Sequence, residues 1–323
     1  MGEAPAATSS ARGWAALGAV YLLWGTYYVS IRVGVRQFPP FLLVGIEFEI
    51  AGVVLYLAAR RFEPASRAGL TARQWRKAAI AGTLLLVGGD GLVSVGEQHV
   101  AASVASVLIA TIPLWMVLGD LLRGRLRWGW PLLAGLAVGL GGAALTAGGT
   151  LHGTRLGGVV AVLGAGVAWA AGSLYWRDDP TPMPALGGSA SQMVVGGGAL
   201  LALAAVTGEL GRFHPAALQP ATLFAFGWLI VGCSIAGFTA YTYALAHAPA
   251  GPVAACQYVN TAITVVLGAT LLGEAVTARL VVGCALIICS VVVLSRASAG
   301  RWRLPGDAGS SPGPAGDIAG QEA

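Results

Sequence analysis

Apolar residues in this chain fall into long, nearly unbroken blocks, unlike the alternating or one-faced patterns of water-soluble strands and helices. The blocks lie near 14–31, 40–58, 78–96, 100–122, 128–147, 156–176, 183–207, 221–244, 250–272 and 277–295. A bilayer core about 30 Å thick is crossed by roughly 20 helical residues. A helix also pairs its own backbone polar groups, which lipid cannot do. The pattern therefore predicts an all-α integral membrane protein with ten transmembrane helices. Only Glu97, Gln98 and His99 separate the third and fourth runs, and His247, Pro249, Gly251 and Pro252 mark the step between the eighth and ninth; both read as tight helical hairpins. The first run is long enough to span and lacks a small-residue cleavage signature, so it reads as a retained helix.

Composition removes the water-soluble alternative. Of 323 residues, 56% are hydrophobic and 10% charged, with a mean hydropathy of +0.74, whereas soluble domains carry about a quarter charged residues. The net charge of +5 comes from short arginine clusters between apolar runs and forms no basic domain for nucleic acid. With the N-terminus in the cytoplasm, 14 basic residues fall inside, among them Arg60, Arg61, Arg123, Arg125, Arg127, Arg177, Arg301 and Arg303, and 5 fall outside: Arg32, Arg36, Arg155, Arg212 and Arg279. The positive-inside rule then places both termini in the cytoplasm. Trp128 and Trp130 suit an interfacial anchor before the fifth span. Residues 1–13 read as a short N-terminal tail, and 296–323, rich in Gly, Pro, Ser and Asp, as a disordered one. Few lysines beside many arginines and alanines suggest a GC-rich bacterial genome, hence the bacterial inner (plasma) membrane. All four cysteines lie in apolar runs without a metal-ligand spacing, so no metal or cofactor is expected.

The chain also aligns with itself. A shift of 148 residues lays His99 on His247, Ala102 on Ala250 and Gly135 on Gly283, and a shift of 145 lays Trp24 on Trp169. Residues 14–147 and 156–295 then each hold five spans. Because five is odd, the second copy enters the membrane from the opposite side, an inverted repeat that puts a substrate site near mid-membrane. Chance alignment of Ala/Gly-rich helices is the competing reading.

Several motifs resemble the EamA-type branch of the drug/metabolite transporter superfamily: Leu23-Trp24-Gly25-Thr26 with Pro39-Pro40, Gly88-Gly89-Asp90-Gly91 leading to Glu97-Gln98, Thr111-Ile112-Pro113-Leu114-Trp115, Ala168-Trp169-Ala170, and Leu271-Leu272-Gly273-Glu274. The resemblance covers about residues 14 to 295. It implies a ten-span, inverted-repeat carrier exporting amino acids, metabolites or drugs. The chain departs from the family pattern at Glu47, where Arg is frequent, at Asp90, where Asn is frequent, at Asn260-Thr261, where proline follows Asn, and at Gly124-Arg125, where Gly-Glu is common.

Charged side chains at membrane depth cost at least about 2.5 kcal/mol each and usually face a cavity. Asp90, Ser94 and Glu97 are spaced i, i+4, i+7 and predict a polar stripe on the third span, with Glu97 at the hairpin as the alternative. Glu47 and Glu49 are about 200° apart around a helix, so one is expected in the cavity and the other against a basic or hydroxyl group of a neighbouring span. A carboxylate removed from water exchanges its proton nearer neutral pH, which makes Glu47, Glu49, Asp90 and Glu97 the candidates for proton coupling. Gln257, Thr261 and Thr264, with Asn260 beside them, form a second polar face, either for substrate or as glue between helices. Trp24, Tyr27, Tyr28 and Trp115 offer aromatic walls and cation–π contacts, or plain packing. Asp120 is expected to pair with Arg123 at i, i+3, and Glu274 to order the last turn by capping the tenth helix.

Together these features predict secondary transport of a small molecule, most simply export by alternating access with proton coupling. A passive facilitator or uptake permease is the nearest alternative and an integral membrane enzyme a distant one, since the four histidines form no His-x-x-His or His-Glu-x-x-His pattern. The expected partners are the substrate and the lipid bilayer, with a homodimer allowed.

Overall fold

The computed structural model describes residues 11–126, 128–148, 154–248, 253 and 256–298. Nine helices among them are long and apolar enough to cross a membrane: α1 (Ala11–Gly34), α2 (Pro40–Phe62), α3 (Ala72–Glu97), α4 (Ala102–Leu122), α5 (Trp130–Ala147), α6 (Arg155–Asp178), α7 (Ala185–Val206), α8 (Pro220–His247) and α10 (Ala278–Arg296). The apolar Cys256–Leu272, α9, is the tenth. The protein is an all-helical, ten-span membrane protein. Large apolar side chains such as Leu22, Leu57, Val206, Phe224 and Val231 point outward. Such an apolar belt is what lipid as solvent allows. Arg127, Pro249, Gly251, Pro252, residues 1–10 and residues 299–323 lie outside the described residues, and the described ends of the two expected tails, 11–13 and 296–298, are helical.

The largest change from the expected spans is at α3, which begins at Ala72 and not near 78. Thr71 and Gln74 form a capping box there, the Thr71 hydroxyl accepting from Gln74 N at 3.3 Å and Gln74 Oε1 accepting from Thr71 N at 2.9 Å. This satisfies orphan N–H groups of the first turn and lets a polar turn precede the apolar run. Helix α4 breaks at Ala110–Thr111. Pro113 has no N–H to continue the ladder and its ring crowds the preceding turn; the Thr111 hydroxyl instead donates to Leu108 O at 2.6 Å.

Neighbours follow a regular scheme. Helix α2 packs on α7, α5 on α10 and α4 on α9, while α1 lies against α8 and α9 as α6 lies against α3 and α4. Consecutive spans alternate in direction, so the bundle has two ends. End A carries the starts of α1, α3, α5, α7 and α9; end B carries the starts of α2, α4, α6, α8 and α10. Acidic side chains near the bilayer surfaces cap helices of the other half. At end A, Glu63 accepts from Leu186 N at 3.1 Å and Gly187 N at 2.9 Å, the start of α7. At end B, Glu209 accepts from Leu42 N at 2.9 Å, the start of α2. A carboxylate on free N–H groups at the positive end of a helix dipole is favourable on both counts.

Candidate functional site

Helices α3 and α8 both depart from α-geometry at mid-length. Thr83–Gly91 and Leu229–Ala236 are wound as π-helix, a rare distortion that concentrates at functional sites. An aromatic ring from the opposite half rests near each. A methyl group on Gly89 would come within 2.7 Å of Trp169 Cε3, and one on Gly237 within 2.6 Å of Trp24 Nε1. Glycine at these two positions lets the indoles approach the helix backbone. The Trp24 indole N–H then donates to the Cys233 carbonyl inside the π segment at 3.0 Å.

A cavity of about 90 Å³ lies between these segments. Its aromatic walls are Trp24, Tyr27, Tyr28, Phe48, Trp169 and Phe238. Val93, Ile109 and Ile112 add an aliphatic side, and Asp90, Ser234, Gln257 and Asn260 supply the polar groups. Lining therefore comes from α1, α2, α3, α4, α6, α8 and α9, while α5 and α10 pair with each other away from it. Trp24 meets Phe238 edge-on at 5.2 Å between centroids, and Tyr27 meets Tyr28 the same way at 5.7 Å.

The polar groups are linked in pairs across helices. Tyr27 donates its hydroxyl to Asp90 Oδ1 at 2.8 Å. Ser234 donates to Glu47 Oε1 at 2.7 Å, with Glu47 fully buried behind it. Gln257 Nε2 reaches the Tyr28 hydroxyl at 3.5 Å. Glu47 Oε2 and Asn260 Oδ1 are buried without a protein partner. A buried acceptor left unpaired costs about 1–3 kcal/mol; Glu49 Oε2 and the Glu97 carboxylate, outside the lining, are in the same position.

Of the residues singled out from sequence, Trp24, Tyr27, Tyr28, Asp90, Gln257 and Asn260 line the cavity, and Glu47 joins it through Ser234. The expected stripe on α3 divides. Ser94 is tied to Gly91 O at 2.7 Å and Pro40 O at 3.3 Å, and Glu97 is buried near end B, where Arg32 donates to its main-chain carbonyl. Thr261 bonds Ser106 O at 3.2 Å and Thr264 bonds Gly25 O at 2.9 Å, so both tie helices together. Trp115 lies outside the lining, its N–H on Thr111 Oγ1 at 3.1 Å. Glu49 packs along Gly197 and Gly198 of α7, also outside the lining. Two local expectations are corrected. Asp120 pairs with Arg177 of α6, at 3.0 and 2.5 Å, because Arg123 is drawn to Asp178 at 3.3 Å. Glu274 caps α4 and not α10, accepting from Ala102 N at 2.8 Å and Ser103 N at 3.0 Å. Among lining residues not singled out as site residues, Trp169 was signalled by its alignment with Trp24; Ser234, Phe238 and Phe48 carried no sequence signal.

A model of the EamA-like transporter family matches residues 12–148 and again residues 156–296. The chain belongs to this family. Among its EamA-like relatives is the Escherichia coli K12 inner membrane transporter YedA, named as uncharacterized, 31% identical over 290 residues covering 87% of this chain and 89% of that protein. A probable terminal-alkyne amino-acid exporter of Streptantibioticus cattleyicolor is 27% identical over 288 residues, 89% of this chain and 95% of that one. A solved structure described only as a crystal structure of a protein superposes with a TM-score of 0.58 at 19% identity, over 90% of this chain and all of that one, which shows a shared fold.

Proposed function

We propose that this EamA-like protein is a secondary active exporter that moves a small organic solute across the bacterial inner membrane by alternating access. One observation carries the reading: the cavity is walled by both halves of the chain, with an indole of each half seated on a glycine of the other. Rocking residues 14–147 against 156–295 as two inverted five-helix units would expose such a site to one side and then the other. The family model's two matches, over 12–148 and 156–296, support that division. Both termini are assigned to the cytoplasm, so end A faces inward, on the excess of arginines near that end. The amino-acid exporter among the relatives places amino acids and their derivatives among the first solutes to test.

Proton coupling is part of the proposal. Asp90 and Glu47 stand on neighbouring helices, each holding a hydroxyl from a helix of the cavity wall. Solute entry that takes Tyr27 or Ser234 away from its carboxylate would change that carboxylate's hold on a proton. The test is solute efflux from proteoliposomes under an imposed pH gradient. Coupling predicts efflux driven by the pH gradient and lost in Asp90→Asn and Glu47→Gln. Gradient-driven efflux unchanged in both variants would remove these carboxylates from the coupling, and efflux indifferent to the pH gradient would leave a facilitator, whose flux follows only the solute gradient. A reporter fused after Arg296 that read out on the outer face would overturn the orientation.

A further inference from the structure

We propose that the cavity selects an organic cation, a protonated amine on a flat apolar body, in preference to an amino acid or an organic anion. The inference rests on the carrier reading above and assigns the substrate class of that same site. Its basis is the account of charge, donors and acceptors around the cavity.

Three donors on the wall are engaged, while the Tyr28 O–H and amide N–H groups of Gln257 and Asn260 stay available to a ligand. The Trp24 N–H is on Cys233 O, the Tyr27 O–H on Asp90 and the Ser234 O–H on Glu47. Acceptors stand beside them: Asp90 and Asn260 are part of the lining, and Asn260, 2% exposed, has an unpartnered Oδ1, while Glu47 lies buried behind Ser234. Neutral donors and acceptors of both kinds can meet a polar ligand, so hydrogen bonding does not choose its charge. The charged groups do. Among the described residues that line the cavity, one is a carboxylate and none is basic. The Arg32 guanidinium is held by the Glu97 carbonyl near end B. The carboxylate of an amino acid or acid would therefore enter with no counter-charge and beside Asp90, at a desolvation cost that neutral donors offset only in part.

The walls complete the match. Trp24, Tyr27 and Trp169 line the same cavity as Asp90, and an ammonium over the face of any of these rings, out of water, gains cation–π attraction in addition to its ion pair. Apolar Val93, Ile109 and Ile112 give the body of the molecule a dry surface.

Three probes share one phenyl-alkyl body and differ in charge: phenethylamine, phenylalanine and 3-phenylpropionate. Binding to the purified full chain in lipid nanodiscs, with no gradient, is expected to favour phenethylamine by at least about tenfold over both others. Asp90→Asn is expected to weaken phenethylamine by about tenfold or more, and Trp24→Phe, which keeps a ring, by less. Equal or tighter binding of phenylalanine or 3-phenylpropionate would overturn the assignment. So would phenethylamine affinity unchanged in Asp90→Asn, or no binding of any probe. Because the measurement is at equilibrium, it separates the two readings: amine-selective binding without flux would sink the carrier and keep the cation site, whereas flux of phenylalanine without amine binding would do the reverse.

Discussion

Two turns of the molecule share a backbone and differ in charge. Gly124 after α4 and Gly273 after α9 both adopt left-handed φ, +70° and +66°, the conformation that ends a helix without a Cβ clash. The next residue is Arg125 in one turn and Glu274 in the other. Glu274 reaches across to α4 and takes two main-chain N–H groups at end B. Arg125 turns instead to Asp178 at the end of α6. With Glu63 on α7 and Glu209 on α2, three crossed carboxylate caps join the halves. The fourth turn, at Arg125, makes an ion pair. End B is thus fastened to the peptide backbone, and end A partly to ion pairs such as Arg177–Asp120, Arg125–Asp178 and Arg123–Asp178. Ion pairs can part without leaving helix N–H groups bare. The difference predicts that end A, held by the Glu63 cap and these ion pairs, separates more readily than end B.

The deepest test of the equivalence between halves lies at the two tryptophans. Gly237→Ala would push a methyl against the Trp24 indole nitrogen and disturb its bond to Cys233; Gly89→Ala would push one against Trp169 Cε3. Overpacking of this kind costs about 1–3 kcal/mol. Both variants should melt lower in detergent and lose transport, Gly237→Ala by more because a hydrogen bond goes with the clash. A neutral result at one site beside a large loss at the other would break the equivalence.

The caps come next. Glu274→Ala leaves two N–H groups of α4 without their acceptor, and such losses cost about 0.5–2 kcal/mol. Amides at the start of α4 should exchange faster with solvent, while those of α7 stay unchanged. Glu63→Ala and Glu209→Ala should each cost about 1 kcal/mol and, being at opposite ends, should add when combined. A double variant far from the sum would mean that the two ends communicate through the bundle. Arg125→Gln should cost less than about 1 kcal/mol, since its pair with Asp178 is partly open to solvent.

How much of this was legible in the chain depended on range. Ten apolar blocks report a solvent and need no partner to be read, so the spans appear at close to their true limits. Asp90, Gln257 and Asn260 were visible because a polar group at lipid depth is conspicuous whatever surrounds it. Glu274 was visible as a residue and not as a contact: its acceptor role is met by α4, some 170 residues away in sequence, and nothing local distinguishes that helix start from the nearer one. The α3 stripe failed for a different reason. Regular spacing assumes 3.6 residues per turn, and the π segment ending at Gly91 breaks that count between Asp90 and the residues after it. Ser234 and Phe238 sit in and just after the matching segment of α8, with ordinary neighbours that give no sign of it.

The smallest expected effect is the one that tells what opens end A. Beside the ion pairs, Asp179 accepts from Thr181 N at 2.8 Å and from the Tyr175 hydroxyl at 3.1 Å, and Lys77 binds its carbonyl at 2.7 Å. Hydrogen bonding from Thr181 holds the Asp179 carboxyl down to about 2 from an ordinary 3.8. A depressed folded value means a contribution that is complete above the unfolded value and lost only as pH falls through about 2. Between pH 5 and 8 this corner of end A should therefore be insensitive to acid, whereas the neighbouring pairs of Arg123 and Arg125 are screened by salt. Hydrogen exchange at 178–185 should rise between 0.05 and about 1 M salt and stay flat between pH 5 and 8 after correction for intrinsic rates. Faster exchange on mild acidification with no response to salt would reverse the assignment, and end A would then be held by the same backbone capping that fastens end B.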